Sequence, residues 1–379
     1  MLLVGLAIGS KISASATLLG YLLAMWAIVY FSKQEPLIEN LSLVLFAVTA
    51  GWLIWQLTGG ETWLALPFLG KIASALVAWR DRLIGRIFMT LPEPHGSLLT
   101  GIIFGNRVKL DKQLLDEFKI IGITHLIAVS GYNLTILTAN VRSLFRPILG
   151  HRAVYVSLLV IIGFVLMTGA PASILRAAVM AILILAAEFF GRPSRSVNIL
   201  ILGAAALVVF EPKIILDVGF QLSVAATYGL VRLSPVILAS IKKIRFPQNL
   251  KSIFAETLSA CLMTAPIILF YFGRLSLISP LANLLTLPLI PLIMGLGIVG
   301  GLVLMVTQVV GRVMVMLSWP LLQWIVWVSD RLSSWKFAST NISLPPLVIV
   351  GLVAIIIVGV EWLNWRWQKV EAKSEPKLA

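Results

Sequence analysis

Long apolar runs, each closed by a turn or a cluster of basic residues, repeat from one end of this chain to the other. A run of about 20 mostly apolar residues is what a helix needs to cross a hydrocarbon core. Such a helix satisfies its own backbone polar groups, which hydrocarbon demands. The chain is 59% hydrophobic and 12% charged over 379 residues, whereas a soluble domain carries roughly 25% charged residues. It reads as an integral membrane protein, with no polar insert long enough to fold as a soluble domain.

The expected fold is all-α, a polytopic transmembrane helix bundle of about ten spans with one interfacial amphipathic helix. Spans are read at 12–31, 41–57, 153–168, 174–190, 196–210, 218–231, 252–272, 312–331 and 345–363, with another opening near residue 130 and ending near Val141. Residues 2–9 are too short to span alone and Lys11 interrupts them, so no cleavable signal peptide is read. Over 62–91, Lys71, Arg80, Arg82 and Arg86 punctuate an apolar pattern, which suits a helix lying in the interface. Pro92 and Pro94 end it, and residues 110–121 read as an amphipathic helix of mixed charge. Over 279–307, Pro280, Pro288 and Pro291 precede Gly295, Gly297, Gly300 and Gly301. That run is either a re-entrant element lining a cavity or a kinked span whose Gly297 and Gly301 let a neighbour pack closely.

Thirty Lys and Arg stand against sixteen Asp and Glu, a net charge of +14. Basic loops occur at Arg142, Arg146 and Arg152, at Arg192 and Arg195, and from Arg232 to Lys251, while the loops between them are poor in cations. This alternation places the basic loops on the cytoplasmic side of a multi-pass protein of the cell membrane. Cys261 is the single cysteine and reads as core packing.

Polar groups inside such a chain need a reason. The stretch His125–Asn133, HLIAVSGYN, sets an imidazole, a hydroxyl, a glycine and a carboxamide at the head of an apolar run. Arg176 lies about one turn into its helix and either snorkels to an interface or faces the interior. Asp217, Gln221 and Tyr228 share one helix face. Asp217 is either a helix N-cap or part of a polar lining. Asn283 follows Pro280 in the irregular run. Each could be an interhelical hydrogen bond, or together they could line a path. Catalytic patterns are weak: there are three histidines, no HExxH, no cysteine cluster and no GxxxxGK[ST] loop. A Ser130–His125 pair has no carboxylate to orient it in the sequence. The chain is therefore expected not to be an enzyme, and no metal or cofactor is expected.

Several blocks, in order, resemble those of the ComEC-type competence membrane channels. HLIAVSGYNLTIL is similar to that family's HLLAISGLH signature, PASILRAAVM to its PSxLRA segment, and EPKIILDVGFQLSVAATYGL to its DVGFQLSFAA motif. LLTGIIFGNRVKLDKQLLDEFKIIGITHL resembles the segment leading to the signature, and FGRLSLISPLANLLTLPLIP a later Asn- and Pro-containing one. The resemblance covers roughly residues 92–305. It implies a channel carrying single-stranded DNA across the cytoplasmic membrane during natural transformation. It also implies site residues His125, Ser130, Gly131, Asn133, Arg176, Asp217, Gln221 and Asn283, to which Arg107 is added as a cation in the approach loop. Asn133 stands where the family signature has its second histidine. A carboxamide donates hydrogen bonds but does not titrate near neutrality.

The expected organisation is N-terminal transmembrane helices over 1–61, the interfacial helix over 62–91, a competence-type channel domain over 92–363 and a disordered tail over 364–379. The OB-fold-like and nuclease domains of larger family members have no room here, so the partners implied are single-stranded DNA, the lipid bilayer, a cytoplasmic ATPase motor, a DNA receptor and a separate nuclease. Asp217 would repel phosphate, so it is expected to pair with a basic group or cap its helix. Tyr132 and Tyr228 either stack on bases or pack. The alternatives are a transporter for a small solute or lipid, and a non-conducting membrane scaffold.

Overall fold

The computed structural model describes residues 67–366, apart from 106–109, 128–130, 170–171, 190–195, 211 and scattered positions after 342. The spans expected at 12–31 and 41–57, Arg107 and Ser130 lie outside the described residues. Two compact units divide the chain, one holding residues 67–71 and 179–220 of the described part, the other holding 72–178 and everything from 221 onward.

In the larger unit, α1 (Pro67–Phe88) is followed by α2 (His95–Phe104), α3 (Lys112–Ile121), a 3-10 turn (Thr124–Leu126), α4 (Gly131–Leu149) and α5 (Ala153–Thr168). α6 (Ala172–Phe189) runs into the smaller unit, which also holds α7 (Ser196–Phe210). Then come α8 (Val218–Arg232), α9 (Ser234–Ser240) and α10 (Gln248–Phe272). β1 (Arg274–Ser276), α11 (Ser279–Thr286), α12 (Ile290–Val306), α13 (Gln308–Met316), α14 (Trp319–Ser333) and β2 (Ser339–Asn341) complete the assigned elements. The fold is mostly helical, but an all-α reading needs one correction. β1 and β2 pair antiparallel, Leu275 opposite Thr340, and the Arg274 Nε donates to Asn341 Oδ1 at 3.0 Å. Three-residue strands at helix ends leave no hydrophobic period to read.

Among the described residues three helical runs are long and apolar enough to cross a membrane: Gln248–Phe272, Ser279–Val306 and Gln308–Ser333. α8 and α9 make a fourth if their pair, bent by 41°, is one span. α2, α5 and much of α6 and α7 are apolar but shorter. The proline-rich run is helical from Ser279 to Val306. Pro288 sits in a 3-10 turn at Leu287–Leu289 and Pro291 at the start of α12, where a missing N–H costs nothing.

The core of this unit is built around α2, all ten of whose residues are buried. Glycine makes the fit possible. A Cβ on Gly297 of α12 would fall 2.7 Å from Leu99 Cδ1, and one on Gly301 3.0 Å from Leu83. So the Gly297/Gly301 pair does receive close neighbours. α12 and α13 fold back on each other at Thr307, where Gly311 is set against the backbone of Leu304. α1 docks its second half into the core through Leu83, Ile84 and Ile87. Its cations serve the ends of other helices. Arg86 Nη1 donates to Leu304 O at 2.6 Å and Arg80 Nη1 to Met167 O at 2.9 Å. Both carbonyls lie in last turns, which lack helical donors and carry negative dipole.

Candidate functional site

The signature stretch begins where α3 stops. Gly122 adopts φ +76° and its N–H bonds Phe118 O, an αL cap that releases the chain into the 3-10 turn. His125 lies in that turn. Its side chain keeps open surface, yet the protein around it desolvates the imidazole and pushes its pKa down, while a bond at the Gly122 backbone acts the other way. Desolvation thus favours the neutral form of the ring.

Gly122 also meets the later Asn-containing block. Ser279 Oγ donates to Gly122 O at 3.4 Å, and receives Asn283 Nδ2 at 3.2 Å and the Cys261 thiol at 3.6 Å. Asn283 is 2% exposed, and its Oδ1 is buried without a hydrogen-bond partner among the described residues. The structure therefore connects both His125 and, through Ser279, Asn283 to one glycine cap. Ser279 at the centre was not foreseen. Its only signal in the sequence was its place, two residues before Leu281 in a proline-broken helix start.

Gly131 opens α4, and a Cβ there would fall 3.4 Å from Ala177, next to Arg176 on α6. Arg176 is 5% exposed, so it faces protein rather than snorkelling to an interface. Asn133 is 1% exposed and donates from Nδ2 to Ile102 O at 2.8 Å. Ile102 belongs to the last turn of α2, so the asparagine serves a carbonyl that its own helix leaves free. Asn140, seven residues further along α4, is exposed.

Asp217 Oδ1 accepts from Phe220 N at 2.6 Å, which makes it the N-cap of α8. Gln221 is half-buried one turn on. Tyr228 donates its hydroxyl to Glu361, whose carboxylate also lies 3.3 Å from Arg232 Nε. That network went unread because Glu361 was passed over as the one acid inside the last apolar run. A lone carboxylate there calls for a cation.

These features define a helical membrane protein in which several buried polar groups, Asn133, Ser279 and Asn283 among them, tie one helix to the end of another. A model of the family described as Competence protein matches residues 102–368, and the chain belongs to that family. It is similar to ComE operon protein 3 of Bacillus subtilis (strain 168), 28% identical over 288 residues, which are 75% of this chain and 36% of that protein. The chain thus spans little more than a third of that relative's length. No solved structure matches it.

Proposed function

We propose that the chain is the membrane-embedded part of a DNA-uptake machine and conducts single-stranded DNA across the cytoplasmic membrane as a multi-pass channel. One observation carries the reading: the family match runs through all the polar blocks, from the end of α2 to the last apolar run. Three of their polar side chains, Asn133, Arg176 and Asn283, are nonetheless buried in an apolar bundle. Every nucleotide brings a charge that hydrocarbon rejects, so a conducting path must be polar and net positive. Arg176 is the cation best placed on a signature helix for that task, with His125 in the turn that precedes the signature helix. Asp217, tied up as an N-cap, does not oppose phosphate as a free carboxylate would.

In this reading the chain catalyses nothing. Force comes from a cytoplasmic ATPase or DNA-binding proteins, and a DNA receptor and a nuclease act alongside. The test deletes the gene and measures uptake of labelled DNA, then restores the intact protein or Arg176→Ala. Uptake should vanish in the deletion strain, return with the intact protein, and fall at least tenfold with the variant at equal protein level. Undiminished uptake in the deletion strain sinks the proposal.

A further inference from the structure

The connection between α9 and α10 carries an exposed surface that is both basic and apolar. Residues 241–247 read IKKIRFP. Lys242, Lys243 and Arg245 are exposed, and between and beside them Ile244 and Phe246 are exposed by 58% and 46%. No acidic residue occurs between Asp217 and Glu256 in the sequence. Among the described residues no carboxylate pairs with these three cations.

The connection is folded, not a loose strand. Ile241 N bonds Ile237 O at 3.1 Å and Ile244 N bonds Ile241 O at 3.1 Å. Lys251, 8% exposed, donates its ammonium to Lys242 O at 3.0 Å and pins the turn to α10. Its ends are the last residue of the bent pair and the first residue of a membrane-crossing candidate. Seven residues going out and back reach at most about 12 Å when fully extended, and turns shorten that. The headgroup layer of one leaflet is about 5–7 Å deep. The five side chains are therefore held within or just above that layer.

Exposed isoleucine and phenylalanine are poorly placed in water and well placed at the acyl boundary, while lysine and arginine match lipid phosphates. A nucleic acid would use the cations and leave Ile244 wet. We propose that residues 241–247 form a binding surface for anionic lipid headgroups, anchoring the α8–α9 bend against the leaflet it meets. This rests on the membrane embedding alone, so it stands or falls independently of DNA conduction.

The experiment places the intact chain in nanodiscs of phosphatidylcholine with phosphatidylglycerol and counts retained lipids by native mass spectrometry. Each cation near an anionic surface is worth about fivefold in affinity. The Lys242→Gln, Lys243→Gln, Arg245→Gln variant should therefore lose its preference for phosphatidylglycerol by more than about tenfold. These changes leave the Lys242 carbonyl, and so the Lys251 bond, in place. Unchanged retention in the triple variant overturns the proposal. So does unchanged retention combined with lost binding of a single-stranded oligonucleotide, which would assign the turn to nucleic acid. Should the variant not fold, the unmodified chain gives the answer: retention must weaken with ionic strength as charges are screened, and salt-insensitive retention rejects the surface.

Discussion

Replacing Asn133 tests whether the signature asparagine holds the core or touches the cargo. Its Nδ2 gives Ile102 O a donor at 2.8 Å, in a position 1% exposed. Asn133→Leu keeps the volume and removes that donor. A buried carbonyl left unserved costs about 1–3 kcal/mol in soluble proteins. Interhelical bonds inside membranes average about 0.6 and reach about 1.7 kcal/mol. The expected loss is therefore about 1–2 kcal/mol, or roughly 2–8 °C in Tm at 2–4 °C per kcal/mol. Asn133→Asp should be worse, because it points a carboxylate at the same carbonyl and buries a charge. The assay follows tryptophan fluorescence of the solubilised protein on heating, with DNA uptake measured in parallel. An aspartate variant as stable as the parent, or milder than the leucine variant, refutes the reasoning. Variants that melt like the parent but lose uptake would make Asn133 a cargo contact instead.

Two more outcomes follow from the geometry. The unfolded chain binds the His125 proton at an ordinary imidazole pKa, whereas the folded chain, with that pKa lowered, binds it only at lower pH. Stability should therefore decline as pH falls below about 6.5, and His125→Gln should remove part of that decline; identical pH profiles of Tm for the two proteins would show that desolvation of His125 does not matter. Gly311→Ala should destabilise by about 1–3 kcal/mol, because the new Cβ meets Leu304 backbone rather than a movable side chain. A variant with unchanged Tm would mean that the α12–α13 turn is looser than it stands here.

Which parts of the structure the sequence could announce follows from what leaves a local trace. Helix α5 begins and ends where its apolar run does, because its composition and the αL cap at Gly169 are local facts. Asp217 was one of two readings, and the bond to Phe220 N selects the N-cap. Arg176 was likewise open, and its burial selects the interior. In contrast, α2 is ten mostly apolar residues, and nothing in them says that they will be surrounded on every side. Ser279 gained its place only because the Gly122 cap arrives from 157 residues away. Helix periodicity speaks of one face of one element; joints between elements have no period.

The same distinction bears on the net charge. A surplus of +14 invites the view that cations are spread along a DNA path. Several of them are already committed. Arg80 and Arg86 serve the last turns of α5 and α12, and Arg232 lies against Glu361. Lys251 holds the Lys242 carbonyl, and Arg274 binds Asn341. Each of these gives a carbonyl, carboxamide or carboxylate a charged partner. In a bundle with short helices, many helix ends fall inside the protein, and every end brings carbonyls that need donors. Arginine and lysine meet that need with long apolar stems and charged tips. Part of the positive charge is thus a consequence of how the helices are broken, and only what remains is free to meet phosphate, whether of lipid or of DNA.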